Sequence, residues 1–433
     1  MLEAPEEESS LGMEVYYSSA RGIGGKLKKE PEDFIVDEVS TYPPRSETGD
    51  FAIARLRARN WENNRLVRQL AKSLRISRRR ISFAGTKDKR AVTTQLFSIH
   101  APHERVRELR IPDVDVLEVY PSDRGIELGE LLGNTFEISI RDIALPRGDT
   151  EQLAERFRAE FMSLGGFPNF FGVQRFGAVR PNTHLIGKAI VHGDFEKAVM
   201  LYAASPEEGE EPGAIEARTA LEETHDFALA LKLYPKNLTF EKAIVNHLAA
   251  RPEDLVGALR ALPKNLLMLF VHAYQSYLFN RILSMRIRKG LPLNAPVEGD
   301  IALPPDGHGL PDSGMHIPVT AQNISKISEK ASAGKAFISG VVFGSESGFA
   351  SGEPGEIERA VIAKEGLSGK EFVIPQIREI SSKGTRREFL APLRSLEYSF
   401  IDDSTIKMNF PLNRGCYATA LLRELMKGGL TDY

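Results

Sequence analysis

The fold of this chain is organised around the sequence FAGTKDKRAVTTQ, which spans Phe83–Gln95. This stretch places one carboxylate, Asp88, between Lys87 on one side and Lys89 and Arg90 on the other. Neighbouring cations favour the ionised form of a carboxylate, so we expect Asp88 to act as a nucleophile or base beside a surface that attracts phosphates. By spacing alone, the stretch equally fits a solvated turn in which Asp88 balances the charge of its neighbours.

The segment before this stretch is predicted to form an amphipathic helix over Trp61–Arg75. At about 100° per residue, apolar side chains gather on one side and basic side chains on the other. The apolar set is Leu66, Val67, Leu70 and Leu74, and the basic set is Arg65, Arg68, Lys72 and Arg75, extended by Arg78, Arg79 and Arg80. Such a stripe suits a nucleic-acid backbone, where each basic contact displaces counterions. A membrane-surface helix is the competing interpretation, but the apolar face is modest and poor in aromatic residues.

Charge is unevenly distributed along the 433 residues. Trp61–Arg90 holds ten Lys or Arg and two Asp or Glu, a local net charge of +8 in a chain whose total is −3. This asymmetry predicts one anion-binding face on an otherwise acidic body, although charge runs also form ordinary solvated faces. The length predicts two or three domains.

Composition argues against several classes of protein. The single cysteine, Cys416, excludes an internal disulfide and a cysteine-based metal site. The sequence His100-Ala101-Pro102-His103 is no zinc motif, because proline interrupts any helix there. No apolar run is long enough to span a bilayer and the N-terminus lacks a signal peptide, so a cytoplasmic setting is expected. We find no phosphate-binding loop, which argues against a GTPase, and we predict no cofactor and no metal site.

The remaining pattern predicts a domain that is divided in sequence. Strands are predicted over Phe34–Val39, Phe51–Arg59, Ala91–His100, Gly133–Arg141 and Glu397–Phe410, with a helix over Ala420–Lys427. The last ~45 residues are too few to fold alone and must dock on earlier strands. We therefore expect a second domain inserted from Phe167 to Arg387.

Three further segments receive weaker predictions. The first ten residues are acidic and are expected to be disordered. Ala295–Val373 is expected to be rich in β structure, with a flexible Gly344–Gly355. The aromatic, glycine-rich Gly165–Gly177 could present rings to unstacked bases, or could equally be a buried loop held by its aromatic residues.

Five segments together closely resemble the tRNA pseudouridine synthase D (TruD) family, in an archaeal-type form. They occur in the family's order and cover nearly the whole chain. They are Lys28-x-x-Pro31-Glu32-Asp33-Phe34, Ala84-Gly85-Thr86-Lys87-Asp88-Lys89-Arg90-Ala91, Gly133-Asn134-x-Phe136, Asn169-Phe170-Phe171-Gly172-x-Gln174-Arg175-Phe176-Gly177, and Gly415-x-Tyr417-Ala418-Thr419 with Leu422–Leu425.

The resemblance implies an α/β (α+β) fold with two domains. A catalytic domain of the pseudouridine-synthase type, built on a mixed and largely antiparallel sheet, would comprise residues 1–166 and 388–433. An inserted α/β domain would comprise residues 167–387.

The resemblance also implies roles for individual residues. Asp88 would be the catalytic aspartate and Lys28 its ion-pair partner. The substrate-contacting positions would be Phe34, Asn134, Phe136 and Tyr417. At Tyr417 bacterial members carry phenylalanine, so the contact made by the hydroxyl is a departure from the family pattern.

The implied activity is isomerisation of uridine to pseudouridine in tRNA, at uridine 13. No cofactor is expected, because the reaction needs no redox partner or group donor, and a monomer is the default expectation. Asp88 could attack C1′, stabilise the departing sugar cation or remove the C2′ proton, and the sequence leaves all three routes open. Two alternatives stand beside this function. One is a non-catalytic RNA-binding protein on the same scaffold, and the other is a nucleoside hydrolase or glycosylase that would release free uracil.

Overall fold

The computed structural model describes residues 2–177 and 179–433. Its strands are β1 Leu2–Glu3, β2 Val15–Tyr16, β3 Phe34–Ser40, β4 Phe51–Arg59, β5 Ile81–Phe83, β6 Val92–Ile99, β7 Val114–Ser122, β8 Leu131–Ile140, β9 Gly166–Pro168, β10 Ile301–Leu303, β11 Ile317–Pro318, β12 Phe337–Val342, β13 Thr385–Glu388, β14 Leu390–Pro392, β15 Glu397–Asp402 and β16 Thr405–Asn413.

The helices are α1 Glu6–Ser9, α2 Asn63–Leu74, α3 His103–Arg107, α4 Arg147–Leu164, α5 Thr183–Val191, α6 Phe195–Ala203, α7 Pro212–Thr224, α8 Phe227–Leu233, α9 Thr239–Ala250, α10 Leu255–Arg260, α11 Lys264–Arg288, α12 Ile324–Ser332, α13 Gly352–Lys364 and α14 Ala418–Met426. Short 3₁₀ turns include Pro31–Asp33, just before β3, and Arg78–Arg80, just before β5. In the part of the chain that the structure describes, no helix is long and apolar enough to cross a membrane.

The chain divides into two compact units. The sheet unit comprises Ala20–Phe167, Ala391–Gly428 and Asp432–Tyr433. The helical unit comprises Met1–Ser19, Pro168–Leu390 and Gly429–Thr431. The boundaries predicted at 166/167 and 387/388 lie within three residues of two of these breaks, whereas residues 1–19, which were predicted to belong to the catalytic domain, belong to the helical unit. The functional labels of the two domains remain a prediction.

The sheet unit is built on eight strands in the order β15-β16-β8-β3-β6-β4-β7, with β5 also paired to β6. The pair β3 and β6 is parallel, and the other pairs of this sheet are antiparallel. The prediction of a mixed, largely antiparallel sheet is therefore confirmed. Antiparallel neighbours need only short connections, whereas the parallel pair is joined through the intervening β4, α2 and β5.

The predicted docking of the C-terminal segment is also confirmed. Strand β16 pairs antiparallel with β8 over its whole length, from Ile406 opposite Ile140 to Asn413 opposite Gly133. The C-terminal strands thereby extend a sheet whose other members come from the first part of the chain. A segment this short gains its stability from the ladder and from the apolar face it shares with β8.

Helix α2 is amphipathic, as its sequence predicts. All four apolar residues named above are buried in one core cluster with side chains of β4 and β6. The carboxylate of Glu62 caps the helix by accepting hydrogen bonds from the backbone N–H groups of Asn64 and Arg65. The helix ends at Leu74, and the next residue, Arg75, adopts the left-handed backbone conformation with φ of 57°. Packing of the apolar stripe thus fixes the direction in which the basic stripe faces.

The helical unit corrects two predictions. The first ten residues were expected to be disordered, but residues 2–10 contain β1, which pairs with β2, and α1, in which Glu8 is buried. The carboxylate of Glu3 pairs with Arg288 of α11, so one of the acidic residues of this segment serves ion pairing. Directly after it, Leu11, Met13 and Val15 are buried, and each stabilises the fold by about 1.5–3 kcal/mol, which offsets the conformational entropy lost when this end of the chain is ordered.

The second correction concerns Ala295–Val373, which was predicted to be rich in β structure. It contributes β10–β12 to a four-stranded sheet with β13, but it also contains α12 and α13. Helix α13 begins at Gly352, within the segment that was expected to be flexible. Buried Ile357, Val361 and Ile362 hold it in place, and tertiary packing of this kind overrides the low helix propensity of glycine.

His184 of α5 gives the helical unit a testable pH dependence. Its buried ring lies 5.2 Å from that of Tyr277 and 5.3 Å from that of Phe176, between ring centroids. Burial lowers the pKa of His184 to about 4. The unfolded chain therefore binds this proton at a higher pH than the folded chain, so the free energy of unfolding falls as the pH drops from about 6.5 to about 4. The part due to His184 is about 3 kcal/mol.

We expect His184→Gln to remove most of that acid-induced loss. Urea titrations followed by near-ultraviolet circular dichroism at pH 7.0 and pH 4.5 would measure it. As a control, the exposed His316 changed to glutamine should keep the wild-type pH dependence. The same pH dependence in wild type and His184→Gln would contradict the prediction.

Candidate active site

An ion pair joins two residues that are 60 positions apart in the chain. The Lys28 ammonium donates a hydrogen bond to Oδ2 of Asp88 at 2.7 Å. The lysine side chain is 15% exposed and the aspartate side chain 42%, so the carboxylate faces solvent while its cation is largely covered. Lys28 also adopts a left-handed backbone conformation, with φ of 55°, which is uncommon for a residue with a Cβ atom. The pairing that the resemblance implies is thus present.

Asp88 lies in an irregular loop between β5 and β6, and a second ion pair anchors that loop. The Lys87 ammonium lies 2.5 Å from Oε2 of Glu38, and the two side chains are only 4% and 1% exposed. Glu38 also accepts hydrogen bonds from the Ser40 hydroxyl at 2.7 Å and from the Leu96 backbone N–H at 3.4 Å. A buried, doubly supported pair of this kind fixes the backbone immediately before Asp88.

Two amide side chains hold the rest of the loop. Oδ1 of Asn63, at the start of α2, accepts a hydrogen bond from the Lys87 backbone N–H at 2.9 Å. The Asn63 amide nitrogen donates to Oε1 of Gln95 at 3.2 Å, and the Gln95 amide nitrogen donates to the Gly85 carbonyl at 3.3 Å. Both side chains are buried. Helix α2 and strand β6 therefore position the Asp88 loop through hydrogen bonds rather than through regular secondary structure.

Aromatic rings line the sheet beside Lys28. The Lys28 ammonium lies 4.3 Å from the centre of the Phe34 ring, within range of a cation–π contact. The Phe34 ring meets Phe136 edge-on at 6.0 Å, and Phe136 stacks on Phe410 at 5.6 Å. Phe34 and Phe136 are both buried, so they form an apolar floor with little of either ring exposed.

Asn134 shares a sheet face with these rings. In the ladder Asn134 stands opposite Glu38, and Phe136 stands opposite Val36. Oδ1 of Asn134 is buried and has no hydrogen-bond partner among residues 2–177 and 179–433. An unsatisfied buried acceptor destabilises the folded protein by about 1–3 kcal/mol, which a ligand with a correctly placed N–H donor would recover.

Two further residues of the family motifs, Gly133 and Tyr417, lie near Asn134. A Cβ atom at Gly133 would lie 2.3 Å from the Leu412 carbonyl oxygen, so only glycine lets β16 pair closely beside Asn134. Tyr417 is half-buried and precedes the first residue of α14, four positions after the end of β16. The structure therefore places Tyr417 near the end of the sheet at which Asn134 lies.

The basic stripe of α2 continues into the 3₁₀ turn that follows it. All seven of its side chains are exposed: Arg65, Arg68, Lys72, Arg75, Arg78, Arg79 and Arg80. Within the part of the chain that the structure describes, none of them lies within 4.0 Å of a carboxylate. This stripe is therefore an uncompensated positive surface.

The aromatic segment Gly165–Gly177 is a buried loop and does not present its rings. Phe170, Phe171 and Phe176 are all buried. Asn169 pairs with Arg387 at 2.5 Å, and the Arg387 guanidinium lies 4.2 Å from the centre of the Phe171 ring. Of the two interpretations that the sequence leaves open, the structure favours the packed loop over a base-stacking platform.

Sequence reasoning missed the residues that position the Asp88 loop, namely Glu38, Lys87, Asn63 and Gln95. Glu38 carries a signal that could have been used: with Phe34 and Val36 it occupies the inward-facing positions of β3, where a carboxylate needs a partner. Asn63 and Gln95 carry no such signal. Among residues 2–177 and 179–433, no group of three His, Cys, Asp or Glu residues could hold a metal ion.

Comparisons with known proteins agree with this architecture. The family model described as tRNA pseudouridine synthase D (TruD) matches residues 10–425. A Methanosarcina mazei protein named "Probable tRNA pseudouridine synthase D" is 44% identical over 432 residues, which is 98% of each chain. A protein of the same name from Thermococcus onnurineus is 40% identical over 416 residues, 95% of this chain and 97% of the other. The crystal structure of a protein named as TruD from Methanosarcina mazei superposes with a TM-score of 0.86 at 43% identity and covers 100% of both chains.

Proposed function

This chain belongs to the tRNA pseudouridine synthase D (TruD) family, and we propose that it isomerises uridine to pseudouridine in tRNA, at uridine 13. Asp88 is the catalytic aspartate of this proposal and Lys28 is its counterion. In this proposal the sheet unit is the catalytic domain, and Pro168–Leu390 of the helical unit is the segment inserted into its sequence.

One observation carries the proposal: a solvent-facing carboxylate paired at 2.7 Å with a largely covered lysine. A structural ion pair on a protein surface contributes little to stability, with a median of about 0–1 kcal/mol. The Lys28–Asp88 pair is instead supported by a buried network and by a left-handed backbone at Lys28. Such support favours a role in chemistry over a role in folding.

The reaction that we propose requires an ionised carboxylate beside the ribose, and Asp88 can supply it. The N1–C1′ glycosidic bond breaks, the detached uracil turns, and C5 forms a new bond to C1′. The C5 hydrogen leaves as a proton, and N1 takes up a proton in exchange, so the product is an isomer of the substrate. A carboxylate can attack C1′, stabilise the sugar cation or remove the C2′ proton, and each route needs its ionised form. Atoms and electrons balance without a redox partner or group donor.

The detached base must be held while it turns. We propose that Asn134 accepts a hydrogen bond from the uracil edge through its unpartnered Oδ1, since uracil N3–H is a donor. Phe34 and Phe136 form the apolar floor beneath the base, and Tyr417 supplies the remaining aromatic contact. Unstacking a base costs a few kcal/mol, and aromatic contacts return about 1–3 kcal/mol per base.

We propose that the basic stripe, Arg65 to Arg80, binds the tRNA backbone. Replacing Arg78, Arg79 and Arg80 with glutamine should weaken tRNA binding and reduce the slope of log K against log salt by about 2–3, since each lost phosphate contact removes about 0.7–0.9. Filter-binding or anisotropy titrations between 50 and 200 mM salt would measure this slope.

A matched control for that prediction is available on α12 and its C-terminal end. Lys326, Lys330 and Lys335 are exposed, and replacing them with glutamine gives the same change in net charge. An equal loss of slope in both triple variants would show that only net charge matters and would contradict a specific backbone site.

The activity itself is tested with an unmodified tRNA transcript that carries tritium at uridine C5. We expect the wild-type chain to release tritium and to leave pseudouridine at position 13, as mapped by chemical sequencing. Bound tRNA without tritium release would support a non-catalytic RNA-binding protein. Release of free uracil would support a glycosylase and would refute isomerisation.

A further inference from the structure

The sheet unit contains a groove whose lining includes the two residues that follow Asp88 in the chain. Its first part has a volume of about 490 Å³ and is lined by Lys29, Arg59, Asn60, Lys89 and Arg90, among others. Lys29 and Lys89 directly follow Lys28 and Asp88 in the chain, so this part of the groove begins beside the ion pair.

A second part continues from the first, because both are lined by Arg59 and Asn60. It has a volume of about 400 Å³, and its other lining residues include Trp61, Arg65 and Gln69. Arg65 belongs to the basic stripe of α2. The two parts together, which we name the flanking groove, therefore connect the Asp88 loop to that stripe.

The flanking groove contains cations that are not neutralised within the chain. Lys29 pairs with Asp142 and Arg59 pairs with Glu32. By contrast, Lys89, Arg90 and Arg65 have no carboxylate within 4.0 Å in the part of the chain that the structure describes. The groove is also lined by two carboxylates, Glu30 in the first part and Asp113 in the second, so its charge is positive but not uniformly so.

An aromatic ring is held in place within this basic groove. The Trp61 indole nitrogen donates a hydrogen bond to the Pro112 carbonyl at 3.2 Å, and the Arg65 guanidinium lies 4.9 Å from the centre of the indole ring. Grooves that combine a cationic track with a fixed aromatic ring are typical of binding sites for single-stranded nucleic acids.

We propose that the flanking groove binds the unpaired nucleotides that adjoin the target uridine. Lys89, Arg90 and Arg65 contact their phosphates, and Trp61 contacts a base. The inference rests on the proposed function for the identity of the reacting nucleotide. It adds a binding site between the catalytic aspartate and the basic stripe, and it assigns that site to the single-stranded part of the RNA.

Trp61 is the only tryptophan of the chain, so its fluorescence reports on this groove directly. Titrating the full-length protein with the oligonucleotide pentauridylate should change Trp61 fluorescence in a saturable way. In the double variant Lys89→Gln/Arg90→Gln, Kd should rise tenfold or more, on the order expected for losing one or two charge-assisted hydrogen bonds. The salt slope should fall by about 1–2 in the same variant.

Two controls separate a specific effect from misfolding or net charge. The charge-retaining variant Lys89→Arg/Arg90→Lys should recover most of the affinity. Lys326→Gln/Lys330→Gln, which removes the same charge from α12, should leave Kd for pentauridylate unchanged. Equal weakening in the groove and α12 variants, or an unchanged Trp61 signal at saturating pentauridylate, would overturn the proposal.

Steady-state kinetics distinguish this proposal from the proposed function. If wild-type protein forms pseudouridine and Lys89→Gln/Arg90→Gln raises KM for tRNA with little change in kcat, both stand. If pseudouridine forms and the variant keeps the wild-type KM, the groove proposal is refuted while the proposed function stands. If no pseudouridine forms but pentauridylate binding depends on Lys89 and Arg90, the groove is supported as an RNA site and the proposed function fails.

Discussion

Replacing Asp88 with asparagine is expected to lower the rate of pseudouridine formation on the order of 10⁴-fold or more, as for other residues that take part in bond making and breaking. Asparagine keeps the shape of the side chain, but its neutral amide cannot serve as nucleophile, base or anionic stabiliser. Binding of tRNA should persist, because removing a negative charge from a basic surface does not weaken its attraction for phosphates. Single-turnover tritium release and anisotropy titrations measure the two quantities separately.

Asp149 offers a matched control for that substitution. It is a solvent-exposed aspartate of the same unit, paired at 2.8 Å with Arg21. Asp149→Asn should leave tritium release within about twofold of the wild type, since it removes only a surface ion pair. An Asp88→Asn protein that keeps a tenth or more of the wild-type rate would refute the catalytic role of Asp88.

The second large effect is expected at Glu38, which no part of the reaction uses directly. Glu38→Gln leaves the Lys87 ammonium buried without a counterion, and breaking one partner of a buried ion pair destabilises a protein by about 3–5 kcal/mol. Because Trp61 lies in the same unit, urea titrations followed by its fluorescence would report the unfolding of that unit. A shifted Asp88 loop should also lower activity under conditions where the protein remains folded.

The ion pair between Lys407 and Glu137 is the control for Glu38. It joins neighbouring strands of the same sheet at 2.7 Å, but its side chains are 31% and 39% exposed. Glu137→Gln should therefore reduce the free energy of unfolding by no more than about 1 kcal/mol. In the double variant Glu38→Gln/Lys87→Met, part of the loss should be recovered, since no buried charge remains unpaired. Equal effects of Glu38→Gln and Glu137→Gln would contradict this account.

Local periodicity predicted several elements of the sheet unit, but the single strand predicted over Glu397–Phe410 is a pair of strands, β15 and β16, and β7 was not predicted. Strand β4 was predicted over Phe51–Arg59 and has those bounds, and α2 was predicted within two residues at its N-terminus and one at its C-terminus. In β4 apolar residues alternate with polar ones, and in α2 they recur with the helical period. In both elements this repeat shows which face is buried. The buried network around Asp88 follows no period and was missed.

Composition misled the predictions where long-range contacts decide the outcome. The acidic N-terminus was expected to be disordered, yet the carboxylate of Glu3 pairs with Arg288, a residue 285 positions away. The phenylalanines of Gly165–Gly177 fit either a base platform or a packed loop until the contacts of Asn169 and Arg387 are known. Neither sequence segment contains information about its distant partner.

The sequence by itself determined the family, the order and type of several elements, the expected division of one domain in the chain and, through the family resemblance, Asp88 as the candidate aspartate with Lys28 as its partner. These depend on motifs and periods that are local in the chain. Only the tertiary structure decided how that aspartate is held: the 2.7 Å distance to Lys28, Glu38 beneath the loop, and the groove that leads to Trp61. The reason is physical, since an ion pair or a groove is made by atoms that folding brings together from strands far apart in sequence, and its distances are set by the packing of the whole sheet.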